Sequence, residues 1–211
     1  MKSILSLIIV LLVLLTSCGE QVVNPEKINS LPPVFPDYTG VTIPASIAPL
    51  NFVLTTNYEQ IDVTITGKGG VIHLQESRVA AISPKEWSAL LDKSKGDSLQ
   101  VIVAAKENGK WKQYLPFSVY VSSEPIDYGL VYRLIAPGYE VWSKMGIYQT
   151  DLHTAEQSTI LDNKLMAPNC MNCHTFPKNN PKKMSLHIRG ANGATALVQD
   201  KNIEMLSTKT D

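Results

Sequence analysis

Cysteine is scarce in this sequence, neither sign of charge is in excess, and only one stretch stays apolar for long. Three cysteines in 211 residues leave at most one intramolecular pair and one thiol over. The 19 basic and 19 acidic side chains cancel, which excludes the one-signed face of a nucleic-acid-binding protein and a polybasic membrane patch. No segment recurs at a period of about 20–50 residues, so a repeat array is excluded. The apolar run from Ile4 to Leu15 holds about 12 residues, too few to cross a hydrocarbon layer of about 30 Å as a helix.

What that run does resemble is the h-region of an export signal, preceded by Met1-Lys2 and closed by Leu15-Thr16-Ser17-Cys18. Small residues directly before a cysteine form a lipobox, in which the thiol receives a diacylglycerol and becomes the new N-terminus. Residues 1–17 therefore read as a lipoprotein signal peptide and Cys18 as a lipidated anchor. The chain is therefore expected to be exported and held at a membrane by its lipid.

With Cys18 assigned, Cys170 and Cys173 remain, in Cys170-Met171-Asn172-Cys173-His174. This C-x-x-C-H spacing is the one at which two thiols add to the vinyl groups of a haem while the next imidazole reaches the iron. Cys170 and Cys173 are the expected attachment points of one haem c, and His174 is the expected proximal iron ligand. A tetrahedral zinc would need a fourth ligand. A thioredoxin-like pair would need a buried strand before it, which Met166-Ala167-Pro168-Asn169 does not supply.

The order of composition suggests modules. Residues 18–45 carry Pro25, Pro32, Pro33, Pro36 and Pro44 and read as a Pro-rich linker after the anchor. Residues 46–125 turn to period two: Ile61, Val63 and Ile65 alternate with polar residues, Val71 to Leu74 returns after a Gly-rich turn, and Leu99, Val101 and Val103 alternate again. Asn108-Gly109 marks a hairpin with Trp111 to Val121 as its return strand. Ser83-Pro84-Lys85-Glu86 predicts a capped helix burying Trp87, Leu90 and Leu91. The fold class is thus mainly β with a small α segment, an immunoglobulin-like antiparallel sandwich followed by a short helical haem-binding module over 126–211. Short helices are expected within Tyr128–Tyr148 and Ser158–Leu165, and His73 is read as structural.

The chain after His174 is too short for a whole cytochrome c fold, so residues on both sides must wrap the cofactor. Met184 and His187 are the candidates for the distal ligand. In a helix they would share a face, and His187 is preferred. His153, Met166 and Met145 are further candidates upstream, and Lys182, Lys183 and Arg189 could pair with haem propionates. No catalytic constellation is evident.

The segments Tyr132 to Trp142, Met145 to Gln149, Asn169 to His174 and Met184 to Gly190 together resemble a group of Bacteroidetes envelope lipoproteins. In that group a C-x-x-C-H segment precedes a TolB-like β-propeller. The resemblance covers residues 45–211 and implies covalent haem and a periplasm-facing location. Members of the group continue far past Asp211, so the propeller is expected to be absent from this chain. The functional expectation is a membrane-anchored monohaem c-type lipoprotein for electron transfer or haem-based sensing, with a redox or envelope protein as partner. The alternatives are a non-enzymatic scaffold with structural haem and a peroxidase-like enzyme with an open iron position.

Overall fold

The computed structural model describes residues 20–135, 139–166, 168–191 and 193–207. The signal peptide, Cys18, the Pro137-Gly138 step and the last four residues lie outside them. Two compact units divide between Ile126 and Asp127. Both are built mainly from β-strands in open sheets, and no helix among the described residues is long and apolar enough to cross a membrane.

The N-terminal unit contains β1 (Glu26–Lys27), β2 (Val34–Phe35), β3 (Thr42–Ile43), β4 (Val53–Leu54), β5 (Gln60–Gly67) and β6 (Gly70–Glu76). Helix α1 (Pro84–Lys93), β7 (Ser98–Glu107), β8 (Lys110–Gln113) and β9 (Phe117–Val121) follow. β7 is the axis of a seven-stranded sheet. One edge pairs along β5, which in turn pairs with β6, while the other edge is shared by β8 and β9. The alternation read from sequence explains this position: Ile61, Val63, Leu99 and Val103 are all completely buried. Asn108 and Gly109 both take positive φ, as a two-residue hairpin turn requires. The return strand is not continuous from Trp111 to Val121. It breaks into β8 and β9 around Leu115-Pro116, where proline has no N–H to give the ladder.

Helix α1 buries Trp87, Leu90 and Leu91 as its spacing predicts, and Trp87 Nε1 donates to the Ile47 carbonyl at 2.9 Å. Proline opens the helix, but the Ser83 side chain makes no capping hydrogen bond. His73 meets Asp62 at 2.8 Å on the exposed face of the β5–β6 hairpin.

Residues 20–45 are not a free linker. β1 runs parallel to β8, β3 runs parallel to β9, and β2 pairs with β4. Val34 and Ile43 join the hydrophobic core of the unit. The prolines favour extended backbone, and extended backbone can be laid along sheet edges as well as left in solvent.

The C-terminal unit contains β10 (Gly129–Leu134), β11 (Gly146–Asp151) and β12 (Gln157–Asp162) in one antiparallel sheet. A second is formed by β13 (Cys170–Thr175), β14 (Lys183–Arg189), β15 (Ala194–Gln199) and β16 (Asn202–Leu206) in sequential order. Ile147, Met171, Met184, Leu186 and Ile188 form its core, with Val131, Leu161, Phe176 and Val198 against it. The short helical module expected here is instead two sheets with 3-10 turns at Tyr139–Lys144, Asn163–Met166 and Pro177–Asn179. The period of the sequence accounts for this. Lys183-Met184-Ser185-Leu186-His187-Ile188-Arg189 alternates polar and apolar residues strictly, which is the pattern of a half-buried strand.

Candidate cofactor site

The C-x-x-C-H motif is a strand. Cys170 opens β13 and His174 stands one residue from its end. Register with β14 pairs Cys170 with Arg189, Met171 with Ile188, Cys173 with His187 and His174 with Leu186, with an irregularity between Met171 and Cys173. The extra residue there is Asn172, a β-bulge.

That bulge decides which side chains share a face. In an unbroken strand, residues three apart point to opposite sides. Inserting one unpaired residue restores the parity, so Cys170 and Cys173 both lie on the face of β14 that carries Arg189 and His187. Directly opposed residues in an antiparallel pair project to the same side. Met171 and His174 lie on the other face, with the buried Ile188 and Leu186. Burial follows the same division: Met171 is buried, His174 half-buried, Cys170 half-buried and Cys173 exposed. The His174 ring packs edge-on against Phe176 with centroids 6.0 Å apart.

His187 is also paired with Thr195 on β15, and its Nδ1 lies 3.0 Å from Thr195 Oγ1. Met184, the other distal candidate, is buried in the core. Met184 and His187 therefore point to opposite sides of β14, contrary to the shared helical face expected from their spacing. The two cysteines are free thiols. Among the described residues, no three His, Cys, Asp or Glu side chains are grouped as the ligands of a single ion would be.

Three residues that sequence reasoning passed over hold this strand in place. Asn163, fully buried, accepts from the Met171 N–H at 2.8 Å and donates from Nδ2 to the Trp142 carbonyl at 2.9 Å. Its own N–H donates to Met145 O at 3.0 Å. Asn169, also fully buried, lies against Gly190. A Cβ at Gly190 would come within 2.9 Å of the Asn169 Cα, and the backbone there has φ +129°, so only glycine admits this approach without strain. The signal in the sequence was faint, a single asparagine before each apolar step. Of the outlying candidates, His153 sits in the turn after β11, where its N–H donates to Asp151 Oδ1. Lys182 is exposed, Lys183 half-buried and Arg189 exposed, the last beside Cys170 in register. Comparison of the sequence with protein-family models and with curated proteins gives no match.

Proposed function

We propose that this chain is an exported lipoprotein, anchored through Cys18 in the cell envelope, that carries one haem on Cys170 and Cys173 and serves as an electron carrier. The observation that carries the reading is the bulge at Asn172, which brings both thiols of the motif to one accessible face of β13. Thiols and imidazoles are the donor types a c-type haem takes: Cys170 and Cys173 are free on one face with His187 across from Cys173, and His174 stands on the other face. Each thiol would add across a vinyl group, its sulfur bonding to the ring-side carbon and its hydrogen passing to the terminal carbon. Attachment therefore consumes no oxidant or reductant. When bound, haem supplies one-electron chemistry at its iron. The chain's own residues hold the cofactor, exclude solvent from one side and supply imidazole.

Electron carriage is favoured over catalysis because, among the described residues, the thiols and His187 on this face have no further acid or base grouped with them. In this reading the N-terminal unit is an immunoglobulin-like body that meets an envelope partner, supported by its largely antiparallel sheet and single core. The sequential four-stranded sheet β13–β16 has the form of one propeller blade, which supports the likeness to the TolB-related envelope lipoproteins.

The test is expression of the full chain alongside a cytochrome c maturation system, followed by denaturing electrophoresis with haem staining. The wild type should keep its stain. Cys170→Ala and Cys173→Ala should each keep one thioether, seen as a pyridine haemochrome shifted toward that of unsubstituted haem, and the double variant should keep none. A wild-type chain that loses all haem on denaturation would rule out covalent attachment.

A further inference from the structure

We infer that the outward face of the β5–β6 hairpin is seated on the headgroups of the membrane that holds the lipid anchor. This rests on the lipoprotein reading of Cys18 and adds an orientation of the N-terminal unit to it. The first observation is that Glu20 is fixed to the sheet. Its carbonyl accepts from Gln75 Nε2 at 2.6 Å, and its carboxylate pairs with Lys106. Gln75 lies on β6 and Lys106 on β7, so Glu20 is tied to two strands with β5 between them. The second observation is the length of chain left over. Only Gly19 stands between Glu20 and Cys18, and two fully extended steps span at most about 7 Å. An acylated thiol that close to the sheet cannot hold the unit at a distance from the lipid.

The side of the sheet follows from register. Gln75 is opposite Asp62, His73 opposite Thr64, and Lys106 opposite Gln60. These residues alternate with the buried Ile61, Val63 and Ile72, so they share the face turned away from the core. Asp62 links them, lying 2.8 Å from His73 Nε2 and 3.3 Å from Gln75 Nε2. Glu20, Asp62, His73 and Gln75 line one open cleft of about 600 Å³. Helix α1 is on the other side, where Trp87, Leu90 and Leu91 pack with Ile61 and Val63. Its exposed Ser88 is therefore separated from the Glu20 patch by the sheet and the thickness of a helix. Glu20 and Asp62 offset Lys106 and His73, so the patch has no excess of positive charge. The short tether, and not attraction to anionic lipid, seats it.

The experiment uses the full chain, expressed with its signal so that the lipid is attached, in vesicles of phosphatidylethanolamine and phosphatidylglycerol. The photoreactive residue benzoylphenylalanine replaces His73 in one preparation and Ser88 in another. Irradiation is followed by mass spectrometry for lipid adducts, which should form from position 73 and not from position 88. A third preparation carries the probe at position 73 and about ten Gly and Ser residues inserted between Gly19 and Glu20, a flexible spacer of roughly 18 Å. It should stay with the vesicles and lose the adduct. Equal yields from positions 73 and 88, or an adduct at 73 that survives the insertion unchanged, overturn the seating while leaving the anchor in place. A chain that takes up no labelled fatty acid strikes instead at the lipoprotein reading, so the two failures are distinguishable.

Discussion

Asn163 holds Met171: its side-chain oxygen accepts the Met171 backbone N–H at 2.8 Å, one residue before the bulge that aligns the two thiols. Its amide nitrogen at the same time ties the strand to the Trp142 carbonyl. Both partners depend on a side chain with no exposure to water, so nothing from solvent can replace it.

Replacing Asn163 with leucine should therefore leave a donor and an acceptor unpaired, each costing about 1–3 kcal/mol. Asn163→Asp keeps an acceptor for Met171 but cannot donate to Trp142 and buries charge, so it should also destabilise. Urea unfolding of the haem-free chain reads the loss. The rate at which Cys170 reacts with a disulfide reagent under native conditions reads the local effect, and should rise. An unchanged midpoint together with an unchanged labelling rate would mean the clamp contributes nothing.

Surface pairs in the N-terminal unit make small contributions to the dependence of stability on pH. Hydrogen bonds hold several carboxyls below their ordinary values: Lys106 acts on Glu20, Thr39 on Asp37, Lys95 on Asp92 and Lys68 on Asp97. Their folded forms bind fewer protons than the unfolded chain near the ordinary values of 3.8 for Asp and 4.5 for Glu. Their stabilisation is therefore present above that range and lost as pH falls through the depressed folded values. Lys112 runs the other way: the hydrogen bond to Glu107 raises it above 10.5, so its contribution is complete below that value and lost as pH rises past the raised one. These groups are solvent-exposed and each effect is small. From these pairs the urea midpoint should decline slightly as pH falls through the carboxylate range and again as it rises past the lysine range. In Lys68→Met, Asp97 should titrate closer to 3.8 by NMR, and a value that stays put would remove the pair from the account.

What was legible in the sequence followed the strength of its period. Ile61, Val63 and Ile65, the Asn108-Gly109 turn and the Trp87-Leu90-Leu91 face all declared themselves locally, because each is a short-range pattern that tertiary packing then reinforces. Around the motif the local signal misled. Met184 and His187 are three apart, a spacing that suggests one helical face, yet the strict alternation from Lys183 to Arg189 was the stronger pattern and makes a strand. The bulge at Asn172 could not be read in advance, since a bulge is defined by a partner strand that lies well downstream in sequence. For the same reason Asn163, Thr195 and Gly190 acquire their roles only through register. Proline content misled in the N-terminal segment, because it reports extended backbone and is silent on whether that backbone finds a sheet.

That segment supplies the last test. Ile43 in β3 lies beside Val121 in the parallel register with β9 and is 6% exposed, whereas Val23, ahead of β1, is 65% exposed. If residues 20–45 are part of the folded body, Ile43→Ala removes buried methyl groups and leaves a cavity, at a cost of about 2–5 kcal/mol. Val23→Ala, at an exposed site, should stay within about 0.5 kcal/mol of wild type. Urea unfolding followed by the fluorescence of Trp87, buried in the same core, compares the two directly. Equal midpoints for the two variants would return the segment to the role of a tether, and the parallel edge strands would then contribute nothing to stability.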